Sequence, residues 1–337
     1  MSKKRRRHTA TQSSLSLRII WFWIPVCIAI FSLVYLSQKR FNPQREAQAG
    51  LQQLNYWRNQ AGLMPLTRYE MLEESAQNHA KYLSKDAHGH DELNTSNPFF
   101  TGETPQVRAT AVGYSAPIAE NLTIGNFARS GKSSIDGLMT AIYHRLSLLN
   151  PNHDEAGAAW ANGKYNAFVV NQGSSYDREV CDTPPNGKRY IMTMPCRGKS
   201  VEIHLDTPPP SQEIAVKFPI GENAEPKYDG KETPNPMPHY DKTGNPVSIA
   251  FYGQKGDIRM EDFQIFAPNG EITKTEILTV SSDPNNLLSK TEFALFPIEP
   301  LAFDTEYRVA FHYHMNGEKK LEEWTFRTRK KRHWFEW

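Results

Sequence analysis

The sequence predicts an α+β fold, with a helical first half closed by short strands and an all-β second half, behind one membrane-spanning helix. Three patterns carry this prediction. Apolar residues recur at helical spacing between 50 and 150, alternate with period two after 210, and run unbroken by charge from Ile19 to Leu36. With 337 residues the chain is long enough for two cores, and 39% hydrophobic with 23% charged residues is a globular composition. Its 23 prolines exclude a single helical bundle, and its 3 cysteines exclude a disulfide-dense scaffold.

The first element is the uncharged run, 18 residues from Ile19 to Leu36. That is just long enough to cross a hydrocarbon core, and Trp21, Trp23 and Tyr35 sit near its ends, where amphipathic rings favour the interface. Residues 1–40 hold eight basic side chains and no acidic one, so the rest of the chain carries 31 basic against 37 acidic residues. A net acidic exported part argues against a nucleic-acid partner. Lys3–Arg7 and Arg18 outweigh Lys39 and Arg40, which leaves residues 1–17 as a cytoplasmic tail, 18–37 as an uncleaved anchor in the lipid bilayer, and the bulk of the chain extracytoplasmic. Ala47-Gln48-Ala49 has the look of a signal-peptide cleavage site, but it lies too far beyond the apolar run and behind Lys39, Arg40 and Arg45. Outside the cytoplasm, Cys181 and Cys196 are expected to pair.

Residues 45–175 come next. Leu51, Leu54 and Trp57 mark a helix that ends at Gly62. Leu72, Ala76, His79, Ala80 and Leu83 form a helical stripe, and the Thr67/Glu70 spacing predicts a capping box that starts this helix near 68. Thr104-Pro105 reads as a cap followed by proline at the first helical position, with Gly113 as terminator. Ser133 or Ser134 is expected to cap one continuous helix carrying Ile135, Leu138, Ile142, Leu146 and Leu149. On that helix His144 falls about 180° from Ile135, so it faces solvent or a cleft. Short strand patterns follow at Ala156–Trp160 and Tyr165–Asn171.

Ordered motifs in this segment resemble a known family. They are Leu54-Asn55-x-x-Arg58-x-x-Ala61-Gly62-Leu63-x-Pro65-Leu66, Gly89-His90-Asp91-Glu92, Phe100-Thr101-Gly102-Glu103-Thr104-Pro105-x-x-Arg108-Ala109, Ala119-Glu120-Asn121-Leu122, and His144-Arg145 before Leu148-Leu149-Asn150-Pro151. The series resembles the CAP superfamily of cysteine-rich secretory, venom-allergen and pathogenesis-related proteins, most closely its bacterial branch. The resemblance implies an α-β-α sandwich with a His/Glu cleft, in which His90, Glu120 and His144 match three of the family's four cleft positions. The fourth, a glutamate on the helix before the second histidine, is missing, since residues 133–143 hold only Asp136 as an acid.

Two imidazoles and a carboxylate suit a first-row metal ion such as Zn²⁺, with an open fourth position. The same trio suits general acid–base work, or a hydrogen-bond network that only holds helices in register. Glu92 is a candidate second partner for His90. His88 and His153 read as loop residues, His79 as a buried histidine, and no nucleophile motif is present.

Residues 176–210, with Pro184-Pro185 and Pro208–Pro210, read as a Pro-rich connector. Beyond it, 211–330 alternates through Ile214/Val216/Phe218, Val247/Ile249/Phe251, Phe293/Leu295 and Val309/Phe311/Tyr313, the pattern of a β-sandwich. Leu301–Tyr307 resembles the tyrosine corner of immunoglobulin-like domains. The expected whole is a membrane-anchored envelope protein whose cleft binds a metal, or a cell-wall, lipid or protein ligand. The rivals are a metal-assisted hydrolase and a structural adaptor with an inert cleft.

Overall fold

Helical spacing in the first half and alternation in the second become helix and strand in the computed structural model, which describes residues 21–32 and 42–333. The chain divides into two units, residues 1–45 and 46–337. In the first unit, residues 21–32 are helical and expose Trp21, Phe22, Trp23 and Phe31. The rest of the expected anchor at 18–37, and the tail 1–17, lie outside the described residues. Among the described residues no helix is long and apolar enough to cross a membrane.

The boundary falls in the first turn of α1 (Pro43–Gln60), and the second unit continues with β1 (Thr67–Arg68), α2 (Glu70–Leu83), α3 (Pro105–Ala111), β2 (Ala119–Ile124), α4 (Gly131–Leu138), α5 (Ile142–Leu148), β3 (Glu155–Ala161) and β4 (Ala167–Gly173). Strand order β1-β3-β4-β2 leaves β2 at an edge. Alternation along β2 sets the layers. Leu122 and Ile124 pack with Ala76 and Ala80 of α2 on one face, while Asn121 bonds Ser147 of α5 and Thr123 bonds Ser134 of α4 on the other. A sheet between helices results. Gly157 lets α2 lie against β3, since a Cβ there would sit 1.9 Å from the Glu73 nitrogen.

Two local expectations need correction. Thr67 does not cap α2; it pairs with Glu155 in the parallel β1–β3 ladder, and Tyr69 holds the N-cap position without a side-chain bond. The helix expected from 133 to 149 is broken in two, with Ser130 capping α4 through a box with Ser133, and Ala141 extended between α4 and α5. His144 therefore projects from the separate short helix α5, not from a continuous stripe that begins at Ile135. By contrast, Thr104 caps α3 at Val107 with Pro105 in the first turn.

The stretch 176–210 is not an extended connector. It folds into α6 (Ser175–Asp182) and a hairpin of β5 (Tyr190–Cys196) with β6 (Lys199–Leu205). A disulfide joins Cys181 to Cys196, and Val180, Met194, Ile203 and Leu205 share a core with Leu72, Ala109 and Tyr114. The prolines bracket apolar alternation that buries itself on the first half, so their spacing marks turns rather than a spacer.

The second half forms two sheets. One has β7 (Ile214–Phe218), β11 (Val247–Tyr252), β15 (Glu292–Pro297) and β14 (Thr275–Leu278). The other has β8 (Gly221–Ala224), β12 (Ile258–Ala267), β13 (Gly270–Glu271), β16 (Glu306–Met315) and β17 (Glu318–Thr328). A short ladder of β9 (Lys227–Tyr228) with β10 (Thr243–Gly244) comes between β8 and β11 along the chain. Ile249, Phe251, Leu295, Ile265, Phe311, Trp324 and Phe326 from both sheets form one core.

The halves do not stand apart. Ala141 and Ile142 share a core with Tyr228, Leu278 and Phe296, and Trp57 meets Phe218 edge to face at 5.4 Å. Arg145, fully buried, donates to Pro246 O (2.7 Å), Asn245 Oδ1 (2.6 Å) and Ser248 Oγ (3.1 Å). Replacing Arg145 with leucine strands these buried acceptors, each at about 1–3 kcal/mol. We expect Arg145→Leu to lose roughly 3–5 kcal/mol in urea unfolding. An unchanged midpoint would show that the junction does not carry stability.

Candidate functional site

A buried carboxylate on an edge strand needs counter-charge and donors, and Glu120 finds both. The pleat that sends Leu122 toward α2 sends Glu120 the same way, toward His79. Arg108 Nη2, from α3, lies 2.9 Å from each Glu120 oxygen. His90 Nδ1 is 3.1 Å and His79 Nε2 3.6 Å from Oε1. Asn171, the register partner of Glu120 on β4, donates to Oε2 at 3.3 Å with its amide turned so that its oxygen meets Ser75 and Ala76. Burial alone would raise the Glu120 pKa. The hydrogen bond to His90 and the electrostatic influence of His79 and the Arg108 guanidinium outweigh it and hold the carboxyl below its ordinary range.

Around this carboxylate the cleft is tied into the loop before α3. Arg108 also donates to Gly102 O, Glu103 O and His90 O, which fixes the loop carrying the first histidine. Glu92 does not serve His90 as expected. It lies 3.0 Å from His79 Nδ1 and accepts from the Thr101 and Gly102 amides. His79, whose Nε2 lies 2.9 Å from Gly89 O, is buried as expected yet belongs to the site. His88 is on the surface with Asp86.

His144 reaches the same cleft from α5, its ring nearly parallel to that of His90 with centroids 6.4 Å apart. Its Nδ1 lies 2.8 Å from Glu232 Oε1. Glu232 comes from the second half, between β9 and β10, and stands where α4 and α5 hold no glutamate.

Thus the structure brings His90, Glu120 and His144 together but does not make them an ion shell. Among the described residues no group of three His, Cys, Asp or Glu side chains is placed to hold a metal. Glu120 is bound to the His90 ring and to Arg108, and His144 has its own carboxylate. Sequence reasoning missed Arg108, Asn171 and Glu232. The need of a buried glutamate for a cation pointed to Arg108 within its own motif, whereas nothing local singled out Glu232.

Residues 51–172 match the family model described as the cysteine-rich secretory protein family, CAP. This segment is a CAP domain. None of the curated proteins matches the chain. Among solved structures it is similar to an outer surface protein from Borrelia burgdorferi (17% identity, TM-score 0.35, covering 40% of this chain and 96% of that one). It is also similar to an extracellular SCP-domain protein from Bacillus anthracis (20%, 0.34, 40% and 41%) and a cysteine-rich secretory protein from Staphylococcus aureus (18%, 0.30, 40% and 40%). The match therefore spans about two fifths of each of the latter two proteins.

A groove of about 630 Å³ lies away from the CAP-domain histidines, lined by Tyr56, Lys132, Asp136, Asn223, Arg327 and others. Its charges are paired at the surface, as Lys132 with Asp136 and Arg327 with Asp304, whereas the histidine cleft concentrates buried titratable groups. The cleft is the better candidate.

Because the folded Glu120 pKa is depressed, its stabilisation is fully present above the unfolded value of about 4.3 and is lost as pH falls through the folded one. We expect stability to drop in that acid window, and Glu120→Gln to flatten the drop while lowering stability at neutral pH. Identical pH profiles for the two proteins would refute the assignment.

Proposed function

We propose that the chain is a membrane-anchored, extracytoplasmic CAP-domain protein that binds a ligand in the cleft of His90, Glu120 and His144. The observation that carries this reading is a pair of accessible imidazoles, each backed by a buried carboxylate. Such rings are oriented but not consumed by the fold, because each keeps Nε2 beyond its Nδ1 bond. The His90 side chain is 42% exposed and that of His144 16%, which favours a binding surface over an inert structural network.

A hydrolase using Glu120 as base is disfavoured by the same geometry. A general base works best with a pKa near the operating pH, and Glu120 is held in the opposite direction by Arg108 and two histidines. We read the second half as an immunoglobulin-like sandwich that buttresses the cleft. The amide of Ala302 donates to Tyr307 Oη at 2.8 Å, as a tyrosine corner requires, which supports this reading.

The test of binding is the whole chain in detergent, followed by NMR while soluble muropeptides are added. His90 and His144 signals should shift, and His90→Ala should weaken the interaction at least tenfold. Shifts confined to the groove at Lys132 and Arg327 would move the binding site there.

The anchor is supported by the uncharged run from Ile19 to Leu36 and its basic flank. The mature protein should keep residues 1–17 and resist extraction from membranes by alkaline carbonate. N-terminal sequencing that begins at Gly50 would overturn it.

A further inference from the structure

Glu232 does more than fill a gap in the cleft. Its side chain is fully buried, and its Oε1 accepts from the Tyr143 amide at 2.8 Å and the His144 amide at 3.0 Å. Those are among the first free N–H groups of α5, whose own N-cap, Ala141, offers no side-chain bond. A carboxylate placed there also complements the positive end of the helix. An oxygen receiving two backbone donors is an acceptor, so the third group facing it, His144 Nδ1 at 2.8 Å, carries a proton.

The same logic holds on the other ring. His90 Nδ1 faces Glu120, whose oxygens receive Arg108 Nη2, so this nitrogen also donates. When neutral, both rings are then Nδ1–H tautomers with their lone pairs at Nε2. Neutral histidine in water prefers the opposite tautomer, so the preference is imposed by the two carboxylates.

We propose that Glu232 is a positioning residue of the cleft, which locks His144 in the tautomer of His90 so that paired Nε2 acceptors select hydrogen-bond donors, such as sugar hydroxyls, over carboxylates and phosphates. The ligand half rests on the cleft being the binding site; the tautomer half does not. The second half of the chain is in this sense part of the CAP-domain site.

The test uses the full-length chain in detergent micelles with ¹⁵N-labelled histidine at pH 8, above the reference imidazole pKa of about 6.5. The wild-type His90 and His144 rings should give protonated-type Nδ1 and unprotonated-type Nε2 signals. Glu232→Gln keeps an acceptor oxygen and should leave the His144 tautomer in place. Glu232→Leu removes it and should return His144 to a mostly Nε2–H ring while His90 is unchanged. A wild-type His144 that is Nε2–H, or a folded Leu variant with the tautomer retained, overturns the positioning role. If the Leu variant does not fold, the wild-type and Gln spectra still decide.

The second arm adds chitotriose, a neutral donor-rich probe, and inorganic phosphate to the same samples. Chitotriose should shift both histidines, with at least tenfold weaker binding in Glu232→Leu, and phosphate should not compete. Phosphate binding as tight as chitotriose overturns the donor selectivity. Expected tautomers with neither probe bound would instead count against the cleft as a binding site.

Discussion

A guanidinium with no exposed surface must have its N–H groups met by acceptors, and for Arg145 almost none of them are local. Met139 O takes Nε, and Asn245, Pro246 and Ser248 take the rest, while the ring of Phe218 lies 4.8 Å beneath. Burial still pushes its pKa down to about 9. Removing the second half would leave this charge unsatisfied, which is why a sequence that reads as two domains forms one unit. The neighbours on α5 repeat the arrangement: Tyr143 is hydrogen-bonded to Asp283 and Asn285, and His144 to Glu232.

This makes a short helix dependable. A helix of 7 residues is marginal by itself. α5 has an anion at its N-terminus in Glu232 and a cation at its C-terminus in Arg58, which donates to Leu148 O and Asn150 O. Both charges come from elsewhere in the chain, one from α1 and one from beyond β9. The direction of His144 is thus fixed by long-range contacts, and the cleft inherits their rigidity.

Much of this was readable in the residues, and the failures have physical causes. Strong periodicity placed α2, β3, β4 and the second-half strands, and ordered motifs placed Glu120 and both cleft histidines. The break between α4 and α5 escaped because Met139, Thr140 and Ala141 are neither glycine nor proline; it coincides with Ala141 and Ile142 packing against Tyr228 and Phe296. The Pro-rich stretch misled because prolines at turns look like prolines in a spacer. Glu232 sits in Gly230-Lys-Glu-Thr-Pro234, with no period to mark it, and its function depends on a partner 88 residues away. Pairings of that range leave no local trace.

The distance between Arg145 and its acceptors also has a bearing on biosynthesis. A ribosome makes Arg145 100 residues before Asn245. At roughly 5–20 residues per second, about 5–20 s separate the charge from its first partner in the second half. For most of that interval α5 also lacks Glu232, made 88 residues after His144, and the apolar faces of Ala141 and Ile142 wait for Tyr228 and, later still, Phe296. Nascent chains halted between these points would hold an unfinished cleft, with His90 able to meet Glu120 and Arg108 while His144 still lacks Glu232.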